Sequence, residues 1–81
     1  MPSQSVVVGS AQGLHARPAQ LIAEAAEGLG SEVTINGVDA SSALMLMTVG
    51  AGKGDTVEVA GDDDAAVAKI AEMVASDLDA G

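Results

Sequence analysis

Glu32-Val33-Thr34-Ile35-Asn36-Gly37-Val38-Asp39-Ala40 sets the architecture of this 81-residue chain. Residues 32–35 alternate polar and apolar side chains, the period of a strand with one face buried. Asn36-Gly37 then supplies two residues that tolerate positive φ, so residues 38–40 return antiparallel to the strand before them. Outward from this hairpin the chain alternates strand and helix signals. Ser5-Val6-Val7-Val8 is a β-branched run ended by Gly9, and residues 18–27 read as a helix with Leu21, Ile22, Ala25 and Ala26 at helical spacing and Leu29 beyond Gly28. On the other side, Ser42 caps a brief helix over residues 43–48, and Gly50, Gly52 and Gly54 punctuate a loop. Thr56-Val57-Glu58-Val59 is the last strand. Asp62-Asp63-Asp64 opens a final helix with Val67, Ile70, Ala71, Val74 and Leu78 on one face, its carboxylates complementing the helix dipole.

The order is β-α-β-β-α-β-α. Its simplest packing is an α/β (α+β) open-faced sandwich, a four-stranded antiparallel sheet with three helices on one face. A ferredoxin-like layer with an added terminal helix fits the same pattern. The length predicts one domain over residues 1–81, near the size at which folding buries only ~60% of the unfolded surface.

Composition excludes several classes of function. The formal charge is −9, with Arg17, Lys53 and Lys69 as the only lysines and arginines, and there is no aromatic residue. Nucleic acid is therefore not an expected partner, because its phosphates demand a basic surface and its bases a stacking platform. The chain has no cysteine, hence no disulfide, thiolate nucleophile or cysteine metal site, and neither a metal nor a cofactor is expected. No stretch approaches the ~20 apolar residues that span a bilayer, and Met1-Pro2-Ser3-Gln4 does not open like a signal peptide. These features predict a cytoplasmic protein without membrane insertion, and a monomer by default.

The chemistry concentrates in Gly13-Leu14-His15-Ala16-Arg17-Pro18-Ala19, which holds the only histidine. It falls where a helix begins, and a helix start offers unpaired backbone N–H groups and a partial positive charge to an anion. Arg17 adds a planar fork of donors matched to phosphate oxygens. Pro18 suits the first turn, where its missing N–H would have had no partner. Position alone favours an ordinary surface histidine; in a chain this short of positive charge Arg17 beside it reads as a working residue, and it is the whole run around the pair that turns the reading toward a phosphoryl role.

This run resembles the active-site signature of the HPr family, the histidine-phosphorylated carriers of the bacterial phosphoenolpyruvate-dependent sugar phosphotransferase system. The resemblance extends along nearly the whole chain and selects the four-stranded, three-helix sandwich over the ferredoxin-like layer. It implies a stoichiometric phosphoryl carrier rather than an enzyme. His15 would accept the group through Nδ1 from phosphorylated enzyme I and pass it to enzyme IIA components. Arg17 and the backbone N–H of Ala16 would stabilise the phosphate, with Pro18 setting the helix start.

The second informative run is Ser41-Ser42-Ala43-Leu44-Met45-Leu46-Met47. Successive apolar residues on so short a helix cannot all point inward. The expectation is that Leu46 faces the core, that Ala43, Leu44 and Met47 form an apolar surface patch, and that Met45 lies at its margin, methionine being adaptable to several partners. By resemblance this is where HPr proteins dock on their donors and acceptors. Ser42 aligns with the serine that a dedicated kinase modifies in many Gram-positive members and is a regulatory candidate. Ser41 stands where regulated members commonly carry a basic residue, which favours a plain helix cap. Glu24 and Glu27 likewise occupy the exposed side of the first helix where the family often has lysines, and the hairpin is short. Two other functions remain compatible with the residues: a carrier for a nitrogen-regulatory or dihydroxyacetone-kinase branch, and a binding module in which His15 is inert and the 43–47 patch is the whole function.

Overall fold

A computed structural model describes residues 2–10 and 13–76. It contains β1 (Ser3–Val7), α1 (Ala16–Gly28), β2 (Val33–Ile35), β3 (Val38–Asp39), α2 (Ala43–Thr48), β4 (Thr56–Gly61) and α3 (Asp64–Ala75). The sheet order is β1-β4-β2-β3, every neighbouring pair antiparallel. The expected sandwich is therefore the observed one.

The hairpin forms as its sequence requires. Asn36 and Gly37 have φ of 51° and 83°, so both central turn residues take the conformation that Asn-Gly favours. Asn36 also fastens the turn to β4: its N–H donates to the Glu58 carbonyl, and its Oδ1 accepts from the Glu58 N–H, both at 2.8 Å. Beyond β3, Ala40 is fully buried and its N–H donates to the Val33 carbonyl at 2.9 Å.

Alternation along the strands divides the sheet into two faces. Val33, Ile35, Val57 and Val59 are buried in a core shared with all three helices. Ser3, Ser5, Val7, Thr56 and Glu58 point to the uncovered side and are exposed. Gly61 lets α3 settle on the sheet, because a Cβ there would lie 2.6 Å from the Glu32 carbonyl oxygen and 3.2 Å from Val67 Cγ2.

Some boundaries and faces differ from the sequence reading. β1 begins earlier and ends at Val7; Val8 leaves the ladder but stays buried, bonding through its N–H to the Asp55 carbonyl and through its carbonyl to the Gly54 N–H. α1 starts two residues before the expected 18. Its core face is Pro18, Ala19, Ile22, Ala23 and Ala26, which leaves Leu21 and Leu29 exposed, contrary to their expected place on the apolar face. Leu21 is one residue and about 100° of helix rotation from Ile22, which seats the helix among small alanines. α3 keeps the expected face, Val67, Ile70, Ala71 and Val74, together with Ala66, and Asp63 caps it by accepting from the Ala65 N–H at 2.9 Å. Leu78 lies outside the described residues.

The two faces of α1 make a direct comparison. Ile22→Ala should lower unfolding free energy by about 2–5 kcal/mol, and Leu21→Ala by about 1 kcal/mol or less, read from urea denaturation midpoints at constant slope.

Candidate functional site

His15 is the N-cap of α1. Its backbone is extended (φ −85°, ψ −168°), its carbonyl accepts the first helical bond from the Ala19 N–H at 2.9 Å, and its imidazole does not cap the helix. Helical geometry leaves the Ala16 and Arg17 N–H groups without intrahelical acceptors, and Pro18 in the third position has no N–H to leave unpaired. The thirteen-residue helix thus presents two donors and its positive dipole end beside the one histidine.

The loop before His15 is held by backbone contacts from two distant segments. Leu14 is buried, and its N–H donates to the Ala51 carbonyl at 3.0 Å. Gly13 has φ +76°, and a Cβ there would sit 2.3 Å from the Ala51 carbonyl oxygen. From the other side, the Gly9 N–H donates to the Val74 carbonyl at 3.0 Å and the buried Ser10 hydroxyl to the Ser76 carbonyl at 3.4 Å. The Ala51 segment is itself ordered, with the Asp55 carboxylate accepting from the Gly52 N–H at 2.9 Å. Buried Leu14 on one side and buried Pro18 and Ala19 on the other leave His15 half-buried and Arg17 exposed. Among the described residues no ion pair occupies the Arg17 guanidinium, so its donors are open to an incoming anion.

The apolar segment follows the expected plan with two changes. Ser42 caps α2 by accepting from the Met45 N–H at 3.3 Å, and Leu46 is fully buried. Leu44 is 70% exposed, Met45 43% and Met47 39%. Met45 is therefore no marginal member, and Ala43 packs partly against the core instead of joining the exposed patch. Ala43 sits three residues before the fully buried Leu46, so it shares the inward side of this short helix. Leu21, at i+4 from Arg17, lies on the same exposed stripe of α1 and α2 packs along that helix, an extension of the apolar surface that the sequence reading missed. Its helical spacing from Arg17 was the available signal. Ala51 carried no such signal, because it acts through a backbone carbonyl.

The Asp39 carboxyl is held below its ordinary pKa by hydrogen bonds from the Ser41 hydroxyl at 2.7 Å and the Ser41 N–H at 2.9 Å. Among the described residues no three His, Asp or Glu side chains gather as metal ligands, and no helix is long and apolar enough to cross a membrane.

With this geometry in hand, the relatives are informative. A family model described as the PTS HPr component phosphorylation site matches residues 2–76. The chain is 38% identical, over 87 aligned positions, to the phosphocarrier protein HPr of Streptomyces coelicolor, covering 98% of this chain and 94% of that protein. Among solved structures it superposes on the HPr of Bacillus anthracis with a TM-score of 0.82 at 25% identity, covering 90% of this chain and 95% of that one. A Thermoanaerobacter tengcongensis HPr gives a TM-score of 0.75 at 25% identity, with 93% and 96% covered. The match to the phosphorylation-site model over residues 2–76, together with the shared sandwich, places the chain in the class of phosphocarriers. This chain is a member of the HPr family.

Gly13→Ala tests the loop without touching the histidine. It should cost about 1–3 kcal/mol of stability, since the added Cβ meets both the positive φ and the Ala51 carbonyl, and chemical denaturation monitored by far-ultraviolet circular dichroism measures it.

Proposed function

We propose that this protein accepts a phosphoryl group on His15 from phosphorylated enzyme I and hands it to enzyme IIA components in sugar uptake. The observation that supports the reading most is the position of His15, at the N-cap of α1 with Arg17 two residues on and open. The neutral imidazole is the nucleophile. In an in-line transfer the Nδ1 lone pair forms a P–N bond as the P–N bond to the donor histidine breaks; His15 gives up its Nε2 proton and the donor ring takes up one, so both imidazoles end neutral. The new phosphoryl dianion then sits beside the N–H groups of Ala16 and Arg17. A helix terminus of this kind contributes about 0.3–1 kcal/mol toward a neighbouring negative charge, and the Arg17 guanidinium adds a charge-assisted hydrogen bond.

The P–N bond keeps a high transfer potential, so the group moves on to an acceptor histidine and the carrier returns unchanged. It is a stoichiometric relay working as a cytoplasmic monomer without metal or cofactor. Leu44, Met45 and Met47, beside Ala43, form the docking surface. Ser42 serves as a helix cap: its oxygen accepts the Met45 N–H, and the neighbouring Asp39 carboxylate opposes a phosphate at that position.

Intact mass after incubation with enzyme I and phosphoenolpyruvate tests the assignment. Wild type should gain one acid-labile phosphoryl group and His15→Ala none, with the same denaturation midpoint. Acceptance by His15→Ala would overturn the site. Arg17→Ala should slow the transfer by about tenfold, the equivalent of 1.4 kcal/mol, without abolishing it. Leu44→Glu should weaken binding to enzyme I by about 1–3 kcal/mol in calorimetry while cooperative unfolding is retained.

A further inference from the structure

The exposed side of α1, the helix against which α2 packs, carries carboxylates without a cationic partner among the described residues. On α1, Arg17, Leu21 and Glu24 succeed one another at i+4 and i+3 along the exposed stripe, and Glu27 continues it for another turn. Glu27 then forms one wall of an open groove of about 270 Å³ between the end of α1 and the β2–β3 hairpin, with Glu32, Asp39, Ser31 and Ser41 among its other lining residues. Ser41 leads directly into Ser42 and the exposed Leu44 of α2. Glu24, Glu27, Glu32 and Asp39 are all exposed, the first two on the α1 stripe that carries Leu21 and the last three lining the groove, and no ion pair among the described residues neutralises them. Of the three basic side chains only Arg17 is on this surface of α1; Lys53 lies on the 50–55 loop and Lys69 on α3.

Resting on the carrier reading, we propose that this face docks on a partner protein whose apolar cleft is bordered by arginine or lysine side chains, one of them seated in the groove of Glu27, Glu32 and Asp39. An acidic partner would meet four like charges at close range. A purely apolar one would strip water from carboxylates and return nothing to them. A basic border satisfies them, leaves Arg17 to the phosphoryl group, and reproduces the usual anatomy of an apolar centre with a polar rim. The groove walls favour a side chain with several donors, because the Glu27, Glu32 and Asp39 carboxylates and the Ser31 and Ser41 hydroxyls can all accept hydrogen bonds.

The test is the rate of His15 phosphorylation by enzyme I of the same organism, measured against sodium chloride concentration. Wild type should be labelled, with kcat/KM falling as salt rises. Glu24→Lys with Glu27→Lys should reduce kcat/KM about tenfold or more at low salt, and Glu24→Gln with Glu27→Gln should fall in between. Glu58→Lys, on the uncovered face of the sheet, should match wild type. Salt-indifferent rates, a charge-reversed variant as fast as wild type, or an equal loss in Glu58→Lys would overturn the basic border while leaving the carrier reading standing. A wild type that is never labelled would remove the carrier reading and this proposal together.

Discussion

The hydrogen bond from the Leu14 N–H to the Ala51 carbonyl, made possible by the left-handed backbone of Gly13, is the constraint on which the site depends. It fixes where the chain stops being a loop and becomes α1. With Leu14 buried and its amide tied to a segment 37 positions later, His15 has nowhere to be except the helix cap. The Gly9–Val74 and Ser10–Ser76 bonds secure the other end of the same loop to α3. Two elements distant in sequence therefore hold a histidine that has little structure of its own. Preorganisation of this kind places nucleophile, amides and guanidinium before any phosphate arrives.

The core that supports this arrangement contains no aromatic side chain; among the described residues its hydrophobic cluster is built from Val, Ile, Leu and Ala, with Pro18 buried beside it. Ala19, Ala23 and Ala26 line the buried face of α1 and Ile22 supplies its one large anchor. Larger apolar residues on the same helix are displaced outward. Leu21 of α1 is turned outward, as is Leu44 of α2, and the two helices pack against each other.

Charge completes the division of labour. Four of the twelve carboxylates, Glu24, Glu27, Glu32 and Asp39, stand on α1 or at the groove beyond its end, and one cation, Arg17, stands two residues from the histidine. In a protein with a formal charge of −9, a single guanidinium at a helix start is a strongly contrasted feature for an anion to find.

The residues alone determined the order of elements, the Asn36-Gly37 turn, the Ser42 cap, the buried face of α3 and the pairing of His15 with Arg17 at a helix start. Each is a local property: a turn needs two residues that accept positive φ, a cap needs one oxygen, and periodicity marks a face over three turns. Only the tertiary structure decided that Gly13, Ala51, Gly9 and Ser10 hold the site, that Ala43 is half-covered, and that Leu21 and Met45 face outward. Contacts made through backbone carbonyls leave no side-chain signature, and an unbroken apolar run such as Ala43 to Met47 has no phase until another element covers one side of it.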